Sequence, residues 1–535
     1  MSRPSLPVLM SVLWGCPAAE LPRPPSETGQ LDDGVDATWT PSGVVSCEGA
    51  TTLPFNQVHT DALAAVPFDA TATELFEGGG LAVVDLNDDG HLDLVLSGAD
   101  APALLWGTSK GFTPADASLL PSAPDRGVGV TAADIDGDGD LDLFLARYRR
   151  PNLLWRNDGD RFVDITKAAG VAGETNARTV TASFHDIDRD GILDLFVGNF
   201  GPFFAQDRPP GEPSELYRGM GDGTFVPWDD PLPAAVQDGY VFNGGWIDID
   251  QDGWHELYTV HDFGPKYPNA LLRNDRGILT LDDGLTGLHV GLDGMGLDWG
   301  DVDRDGDLDI VIAGWNENRL MLQEEGTFFD AHVARGVRGL GAQQQRIGWS
   351  TIFADLDNDG RLDVVEGYGK IYNQNVPDLQ PDAVFHQQPD GQFLEVGASW
   401  GFAHPGQTRA VVAADLNQDG TLELLRRDLI GPTTIHQRPC VPGSWVTFSL
   451  RQPDRPNTHA VGATIRARTG DTIVRADVRA GGDGLFSTRP YTVHLGLGTH
   501  ETIDVEITWP DGARSRYEQL QTRQHVRVIR QENTP

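Results

Sequence analysis

The chain has 535 residues and a formal net charge of −39 at pH 7. This length is too great for one ordinary hydrophobic core, so several domains or a repeat array are expected. Residues 441–535 hold twelve Arg and no Lys against ten acids, a balance of +2 that leaves −41 on residues 1–440. Such a surface repels nucleic acid and anionic membranes, which excludes nucleic acid as a partner, and it suits cations.

The first residues predict export. An apolar stretch from Leu6 to Trp14 is followed by Gly15-Cys16, a sequence similar to a bacterial lipobox, whose Cys is lipidated. We predict a signal peptide at residues 1–16 and a flexible tether, rich in Pro, Gly, Ser and Thr, at residues 17–49. The protein is then either a cell-surface lipoprotein, which meets the membrane only through a lipid on Cys16, or a secreted protein cleaved near Ala19. The apolar stretch is too short to span a bilayer as a helix.

Seven acidic loops of one form follow along the chain. Each reads Asp, any residue, Asp or Asn, any residue, Asp, Gly, two further residues, then Asp or Glu, and short apolar runs flank it. Positions one, three, five and nine are Asp85, Asn87, Asp89 and Asp93 in loop 1; Asp134, Asp136, Asp138 and Asp142 in loop 2; Asp186, Asp188, Asp190 and Asp194 in loop 3; Asp248, Asp250, Asp252 and Glu256 in loop 4; Asp301, Asp303, Asp305 and Asp309 in loop 5; Asp355, Asp357, Asp359 and Asp363 in loop 6; and Asp415, Asn417, Asp419 and Glu423 in loop 7.

This loop chemistry predicts calcium, at up to seven sites. Ca²⁺ prefers six to eight oxygen ligands in flexible geometry. Alternate acids in a tight loop converge on one point, Gly at position six permits the sharp turn, and the acid at position nine can return from the next strand and bind through both oxygens. The alternative is an Asx-rich hairpin turn without metal. Loop 7 is expected to be the weakest site because Asn417 is neutral and Glu423 is one methylene longer than Asp.

The loops begin 49 to 62 residues apart, which suits one four-stranded antiparallel sheet per repeat. The fourth strand is missing after loop 7, and an orphan copy stands at Phe55–Thr60, so we predict that this segment completes the last sheet and removes two open edges. Cys47 and Cys440 lie just outside the two ends of the array, and in an exported protein they are predicted to form a disulfide. Two unpaired buried thiols are the alternative.

The repeats and the C-terminal segment also resemble a known family. The loops and the segment Asn152–Asn157 resemble the FG-GAP/VCBS repeats of integrin-α-type propellers over about residues 50–438. The C-terminal part resembles the ASPIC/UnbV domain, and together they are similar to the cartilage acidic protein family and its bacterial relatives. The residues that carry this second likeness are Gly462-Ala463, Ile465-Arg466, Gly481-Gly482, Ser487, His494–Gly498 and Trp509–Gly512.

The resemblance implies an all-β fold. A seven-bladed, calcium-binding β-propeller is expected at residues 50–440, followed by a small ASPIC/UnbV-like β-domain at residues 441–532. It also implies an extracellular location and no known reaction. In the C-terminal domain Arg466, Arg468, Arg475 and Arg479 alternate with apolar residues. They are expected either to form a solvated strand face or to dock onto the acidic propeller.

Long loops between the second and third strands of several repeats are candidates for partner binding, since such loops on a rigid scaffold commonly recognise ligands. The loops at 199–215, 261–269 and 366–384 are expected on the face away from calcium, where Phe203, Phe204, Tyr267 and Tyr372 would contact an extracellular protein or glycan. Ordinary loop packing is the alternative.

We find no complete catalytic set in the sequence, and neither His-Glu-x-x-His nor a phosphate-binding loop is present. The predicted function is therefore calcium-binding recognition or adhesion at the cell surface. The alternative is an extracellular carbohydrate-active lyase or hydrolase on a propeller scaffold, with its His, Tyr or Arg supplied by the variable loops.

Overall fold

The computed structural model describes residues 35–45, 54–58, 61–64, 66, 79–97, 101–122, 127–202, 209–338, 346–370 and 380–531. The chain divides into two compact units, Met1–Gly34 and Val35–Pro535. The first unit, with the predicted signal peptide and Cys16, lies outside the described residues. Among the described residues no helix has the length and apolarity needed to cross a bilayer.

The repeat region forms seven sheets, which we call blades 1 to 7 after their acidic loops. In each blade the loop joins the innermost strand to the second strand. The strands are Leu81–Val84, Asp93–Leu96, Ala103–Thr108 and Gly111–Pro114 in blade 1; Gly127–Ala133, Asp142–Arg147, Leu153–Asn157 and Phe162–Asp164 in blade 2; Thr179–His185, Asp194–Asn199, Glu215–Gly219 and Phe225–Pro227 in blade 3; Tyr240–Ile247, Glu256–Asp262, Ala270–Asp275 and Ile278–Leu281 in blade 4; Gly294–Gly300, Asp309–Gly314, Arg319–Glu324 and Thr327–Asp330 in blade 5; Gly348–Ala354, Asp363–Tyr368, Ala383–Gln387 and Phe393–Glu395 in blade 6; and Thr408–Ala414, Glu423–Asp428, Thr434–Gln437 and Asn56–Val58 in blade 7.

The remaining elements of the repeat region are short. Two strands pair with each other outside the blades, and the helices are single turns. These elements are the strands Gln380–Pro381 and Pro405–Gly406, the α-helical turns Asp61–Ala64, Thr166–Ala169, Ala234–Gln237 and His332–Arg335, and the 3₁₀ turn Ala117–Leu119.

The blades close into a ring. Each innermost strand contacts the innermost strand of the next blade, and Thr408–Ala414 of blade 7 contacts Leu81–Val84 of blade 1. The outer strand of blade 7 comes from the start of the array, with Asn56 opposite Gln437 and Val58 opposite Ile435. The predicted all-β propeller and its closing strand are confirmed. Closure covers strand edges that would otherwise be open to pairing with other chains.

The disulfide prediction concerns the seam of this ring. Cys440 follows the third strand of blade 7 and is disulfide-bonded; its predicted partner, Cys47, lies outside the described residues. A bond that closes so long a loop stabilises by about 5 kcal/mol in the chain-entropy model. Non-reducing peptide mapping should therefore recover a Cys47–Cys440 cross-link, and Cys47→Ser should lower the melting temperature. Alkylation of both thiols in the native, unreduced protein would contradict the pairing.

The C-terminal domain consists of two packed sheets with a common core that includes Phe448, Ile465, Ile507 and Trp509. One sheet has the order Ala37–Pro41, Gln524–Arg530, Ser444–Arg451 and Val493–Gly498. The other has the order Thr472–Asp477, Thr464–Thr469, Thr502–Thr508 and Arg514–Gln521.

The predicted tether at residues 17–49 is wrong for its described part. Ala37–Pro41 is an ordered edge strand of the C-terminal domain, with Trp39 opposite Val528. The Trp39 ring lies 5.2 Å from the Tyr517 ring and 6.4 Å from the Phe448 ring. These contacts partly bury an aromatic side chain that a free tether would leave in water, so this segment belongs to the C-terminal domain.

The segment Ala480–Thr488, which we call the plug, enters the ring of innermost strands. Ala480–Gly481 pairs with Ser183–Phe184 of blade 3, and Ser487–Thr488 pairs with Leu81–Ala82 of blade 1. Between these pairs, Gly484 exchanges backbone hydrogen bonds of 2.7 and 3.0 Å with Leu297 of blade 5. Because it touches innermost strands around the ring, the plug occupies the centre of the propeller.

The plug is held by both apolar and ionic contacts. Leu485 and Phe486 are buried in one cluster with Phe242, Met295 and Trp349. At its two ends, Arg479 and Arg489 each place a guanidinium nitrogen 2.6 Å from a carboxylate oxygen of the fully buried Asp298. The two arginines compensate the charge of this buried acid, and the two ion pairs fix the position of the plug.

The C-terminal domain lies on the face of the propeller that carries the acidic loops. The Thr458 hydroxyl donates to Asp134 of loop 2, the Asn457 N–H donates to the Gly191 carbonyl of loop 3 (3.1 Å), and His494 Nε2 lies 3.1 Å from the Gly420 carbonyl of loop 7. The expected docking of the arginines is confirmed for Arg466, which donates to Gln251 of loop 4, and for Arg479, whereas Arg468 is exposed.

Candidate functional site: the seven acidic loops

Every loop is shaped by the same internal hydrogen bond. The carboxylate at position one accepts the backbone N–H of the Gly at position six, with N···O distances of 2.7 to 3.2 Å. That Gly has a φ between +82° and +100° in all seven loops, a conformation that residues with a Cβ avoid. The position-five carboxylate accepts the N–H of position seven at 2.7 to 2.9 Å. The short repeat is therefore sufficient to form the turn.

The acid at position nine anchors the loop to the sheet. In loop 2, one oxygen of Asp142 accepts the Ile135 N–H (2.9 Å) and the other accepts the Asn157 N–H of the third strand (2.8 Å). Loops 1, 3, 5 and 6 repeat both bonds. Each oxygen of these acids has one backbone donor, and a carboxylate oxygen carries a second lone pair, so binding of the ion through both oxygens of position nine stays a prediction. This anchoring role could not be read from the loop sequence.

Positions one, three and nine come together. In loops 2, 3, 4 and 5 one oxygen from each of these residues lies within 4.8 Å of the other two. In loop 6 the corresponding group is Asp357, Asp363 and His386, with His386 Nδ1 2.9 Å from an Asp363 oxygen. His386 lies on the third strand, outside the nine-residue pattern, and sequence reasoning missed it. In loop 7 Asn417 donates to Glu423 at 3.1 Å.

Several ligand oxygens lack a hydrogen-bond donor. Among the described residues, buried Oδ1 atoms at positions one or three of loops 2, 3, 5 and 6 have no partner in the protein; they belong to Asp136, Asp186, Asp188, Asp301 and Asp357. Leaving an anionic oxygen buried and unpaired costs several kcal/mol as an order of magnitude. A divalent cation in the loop would supply the missing partner. The converging carboxylates and these unpaired oxygens fit Ca²⁺.

Without calcium, burial disfavours the ionised form of the loop carboxyl groups and so raises their pKa values. It raises the pKa of Asp186 and Asp301 to about 7 and the pKa of Asp194 to about 8. It raises the pKa of Asp142 and Asp309 well above the usual value. Desolvation is the main cause and the neighbouring carboxylates add to it, so a bound cation would reverse the shift.

These shifts predict the pH dependence of the calcium-free protein. A carboxyl whose pKa is higher in the folded than in the unfolded state stabilises the fold below the unfolded pKa of about 4, and this stabilisation is lost as pH rises through about 7 to 8. With chelator present, the melting temperature should be lower at about pH 8 than at about pH 6, and the gain from calcium should be larger at the higher pH. A chelated protein that melts higher at the higher pH would contradict this.

Two family models match the chain. Residues 85–145, 134–197 and 301–366 match the FG-GAP-like repeat, and residues 453–535 match ASPIC and UnbV. The chain therefore contains FG-GAP-like repeats and an ASPIC and UnbV domain. FG-GAP-repeat proteins are characteristically extracellular, and the acidic clusters of these repeats suit Ca²⁺.

The chain is also similar to cartilage acidic protein 1. It is 26% identical to the Mus musculus protein over 375 residues, which is 65% of this chain and 54% of the relative. It is 25% identical to the Homo sapiens protein over 371 residues, which is 65% of this chain and 52% of the relative. The chain thus spans about half the length of the curated relatives it matches.

Two solved structures show a low similarity to this chain. An Agrocybe aegerita lectin that recognises non-reducing terminal N-acetylglucosamine is 19% identical, with a TM-score of 0.41 over 65% of this chain and 90% of the lectin. BBS1N, solved in complex with ARL6DN, is 11% identical, with a TM-score of 0.43 over 72% of this chain and 98% of the BBS1N chain. Both TM-scores are low, so neither ligand nor partner is transferred to this chain.

The predicted recognition residues are only partly described. Phe203, Phe204 and Tyr372 lie outside the described residues. Tyr267 is half-buried, with its ring 5.4 Å from the Tyr240 ring and the Lys266 ammonium 5.1 Å from its centroid. Its contact with a partner therefore stays a prediction, and part of its surface already packs within the propeller.

One serine motif is explained by the fold. Residues 107–111 read Gly-Thr-Ser-Lys-Gly, a match to the nucleophile sequence Gly-x-Ser-x-Gly, which needs a turn from a strand into a helix. Ser109 instead lies in the hairpin between Ala103–Thr108 and Gly111–Pro114. This match does not indicate a hydrolase.

Proposed function

We propose that the protein is a calcium-loaded recognition or adhesion module that acts outside the cell. The observation that carries the proposal is the set of converging loop carboxylates with buried, unpaired oxygens, found in successive blades of one ring. Up to seven Ca²⁺ ions would fill these loops. The similarity to cartilage acidic protein 1 supports an extracellular role, and export as a lipoprotein or as a secreted protein completes the proposal.

The role proposed for calcium is structural. The loops lie beneath the C-terminal domain, and Thr458 and Asn457 of that domain contact loops 2 and 3 directly. Ions in the loops would fix the shape of this surface and neutralise its carboxylates. Calcium would then hold both the blade hairpins and the seam between the two domains.

Recognition is proposed for the opposite face. The C-terminal domain covers the loop face, and the plug occupies the ring centre from that side. The connections at 199–215, 261–269 and 366–384 follow second strands that run away from the acidic loops, and the described ends of these connections support a position on the other face. These connections are longer than the acidic loops and differ between blades, as is usual for surfaces that select partners.

A glycan array and a display library of extracellular proteins would identify a binding partner, and Phe204→Ala with Tyr372→Ala would then test the face. We expect these changes to weaken binding by about 1 to 4 kcal/mol, because aromatic side chains dominate hot spots, and to leave calcium-dependent melting unchanged. Ile278→Ala, an exposed apolar residue on the outer strand of blade 4, is the matched control.

Two outcomes would redirect the proposal. Binding that survives both aromatic changes but falls when Arg468, exposed on the C-terminal domain, is changed to Gln would place recognition on that domain. Conversion of a bound glycan to product, lost on mutation of a His or Tyr in the variable loops, would favour the carbohydrate-active enzyme.

A further inference from the structure

The residue at position four of each acidic loop lies between the proposed ligands at positions three and five. Its φ is positive in all seven loops, a conformation that residues other than glycine seldom adopt. The loop backbone therefore fixes the direction of the position-four side chain. The values are +49° for Asp88, +75° for Gly137, +58° for Arg189, +59° for Gln251, +64° for Arg304, +59° for Asn358 and +60° for Gln418.

Three of the seven side chains bridge to the next loop around the ring. In each case the side-chain amide nitrogen donates to the backbone carbonyl of the Gly at position six of that loop. The three bonds join loops 4 and 5, loops 6 and 7, and loops 7 and 1. They run from Gln251 Nε2 to Gly306 (3.0 Å), from Asn358 Nδ2 to Gly420 (2.8 Å) and from Gln418 Nε2 to Gly90 (2.6 Å).

Each bridge ends on a residue that also positions a proposed ligand. The N–H of the same Gly donates to the position-one carboxylate of its own loop, as from Gly306 to Asp301 at 3.1 Å. Between loops 4 and 5 the bridge is reinforced, because Gln251 Nε2 also lies 2.8 Å from an Asp307 oxygen. Arg466 of the C-terminal domain donates to Gln251 Oε1 (3.1 Å), which directs the amide nitrogen toward loop 5. A path of covalent and hydrogen bonds therefore runs from the ligands of loop 4 to a ligand of loop 5.

The residue type at position four decides which loops are joined in this way. Asp88 of loop 1 has no side-chain N–H to donate, and it pairs instead with two arginines of the C-terminal domain at 3.4 and 3.3 Å. Gly137 of loop 2 has no side chain. Arg189 of loop 3 reaches loop 4 by a different contact, with its guanidinium carbon 4.3 Å from the centroid of the Trp254 ring. The amide bridges are thus a property of individual loops and not of the nine-residue pattern that all seven share.

We propose that calcium binding is coupled between adjacent loops through the position-four amides of Gln251, Asn358 and Gln418. The inference rests on the proposed calcium loading. An ion held by positions three and five would order the residue between them, and the hydrogen bond of that residue would order the Gly that positions a ligand in the next loop. The second ion then meets a loop that is already ordered, so it binds more tightly. Coupling of this kind acts equally in both directions.

The test is a calcium titration of the full-length protein labelled with 5-fluorotryptophan, followed at loops 4 and 5. Trp254 stands at position seven of loop 4, so its ¹⁹F resonance, assigned with Trp254→Phe, reports the occupancy of that loop. Asp303→Ala removes a ligand of loop 5. It should raise the half-saturating calcium concentration of loop 4 about fivefold, the lower end of typical coupling between sites. In the background of Gln251→Met, which keeps the side-chain length and removes the amide, the same change should produce a shift of less than about twofold.

Gln531→Met, the same chemical change at an exposed residue after the last strand, is the matched control and should preserve the effect of Asp303→Ala. An effect of Asp303→Ala that is equal with and without Gln251→Met, or absent from both, would overturn the proposal. If Asp303→Ala does not fold, Asp303→Asn takes its place in the same comparison. Equilibrium dialysis counts the bound calcium in parallel. Calcium binding without coupling refutes this inference alone, whereas a protein that binds no calcium refutes the proposed calcium loading itself.

Discussion

Chelation of calcium should lower the melting temperature of this protein more than any single substitution considered above. A ligand that binds only the folded state stabilises it by about 2.7 kcal/mol per site when its free concentration is 100 times its dissociation constant, and up to seven loops contribute. The physical reason is the crowding of buried carboxylates, some with unpaired oxygens, in each hairpin. Melts in excess EDTA and in millimolar Ca²⁺ measure the difference.

Two substitutions compare how much loop 2 and loop 7 contribute to the stabilisation by calcium. Asp142→Ala removes a ligand of loop 2 and strands the backbone N–H groups of Ile135 and Asn157, at a cost of about 1 to 3 kcal/mol for each buried donor. Asp415→Ala acts on loop 7, which is expected to be the weakest site, so it should cost less. Asp142→Asn removes the charge and keeps an acceptor for only one of these two N–H groups, so its stability should lie between that of the parent protein and that of Asp142→Ala. An unchanged melting temperature under chelation would refute the calcium assignment.

Truncation of the Phe486 side chain in the plug should give the second large decrease in stability. Phe486 is 3% exposed and packs with Phe242 and Trp349 at the ring centre, so Phe486→Ala should cost about 3 to 5 kcal/mol. Calorimetry should show a lower unfolding transition temperature. Limited proteolysis should show earlier cleavage between the propeller and the C-terminal domain, because the plug also carries strand pairs to blades 1 and 3.

The matched control is Phe329→Ala, the same chemical change at a side chain that is 42% exposed on the outer strand of blade 5. It should alter stability by less than about 1 kcal/mol, as surface substitutions usually do. Equal melting temperatures for the two variants would show that the plug does not hold the domains together.

The amino-acid sequence is sufficient to predict the repeat, the turn of each loop and the closing strand. These features are local: nine residues contain the acids, the Gly with positive φ and the flanking apolar runs, and hydrogen bonds within the loop complete the turn. Closure was predictable because an outer strand was missing after loop 7 and a spare copy stood before loop 1.

The way the two domains fit together follows from long-range contacts that the sequence does not reveal. The plug at Ala480–Thr488, the edge strand Ala37–Pro41 and the position of His386 beside loop 6 depend on contacts between residues far apart in the chain. No local periodicity records such contacts, since strand pairing and burial are satisfied by whichever distant segment fits the available edge or space. For the same reason Arg466, Arg468 and Arg479 look alike in the sequence, yet only the fold separates a docking arginine from an exposed one.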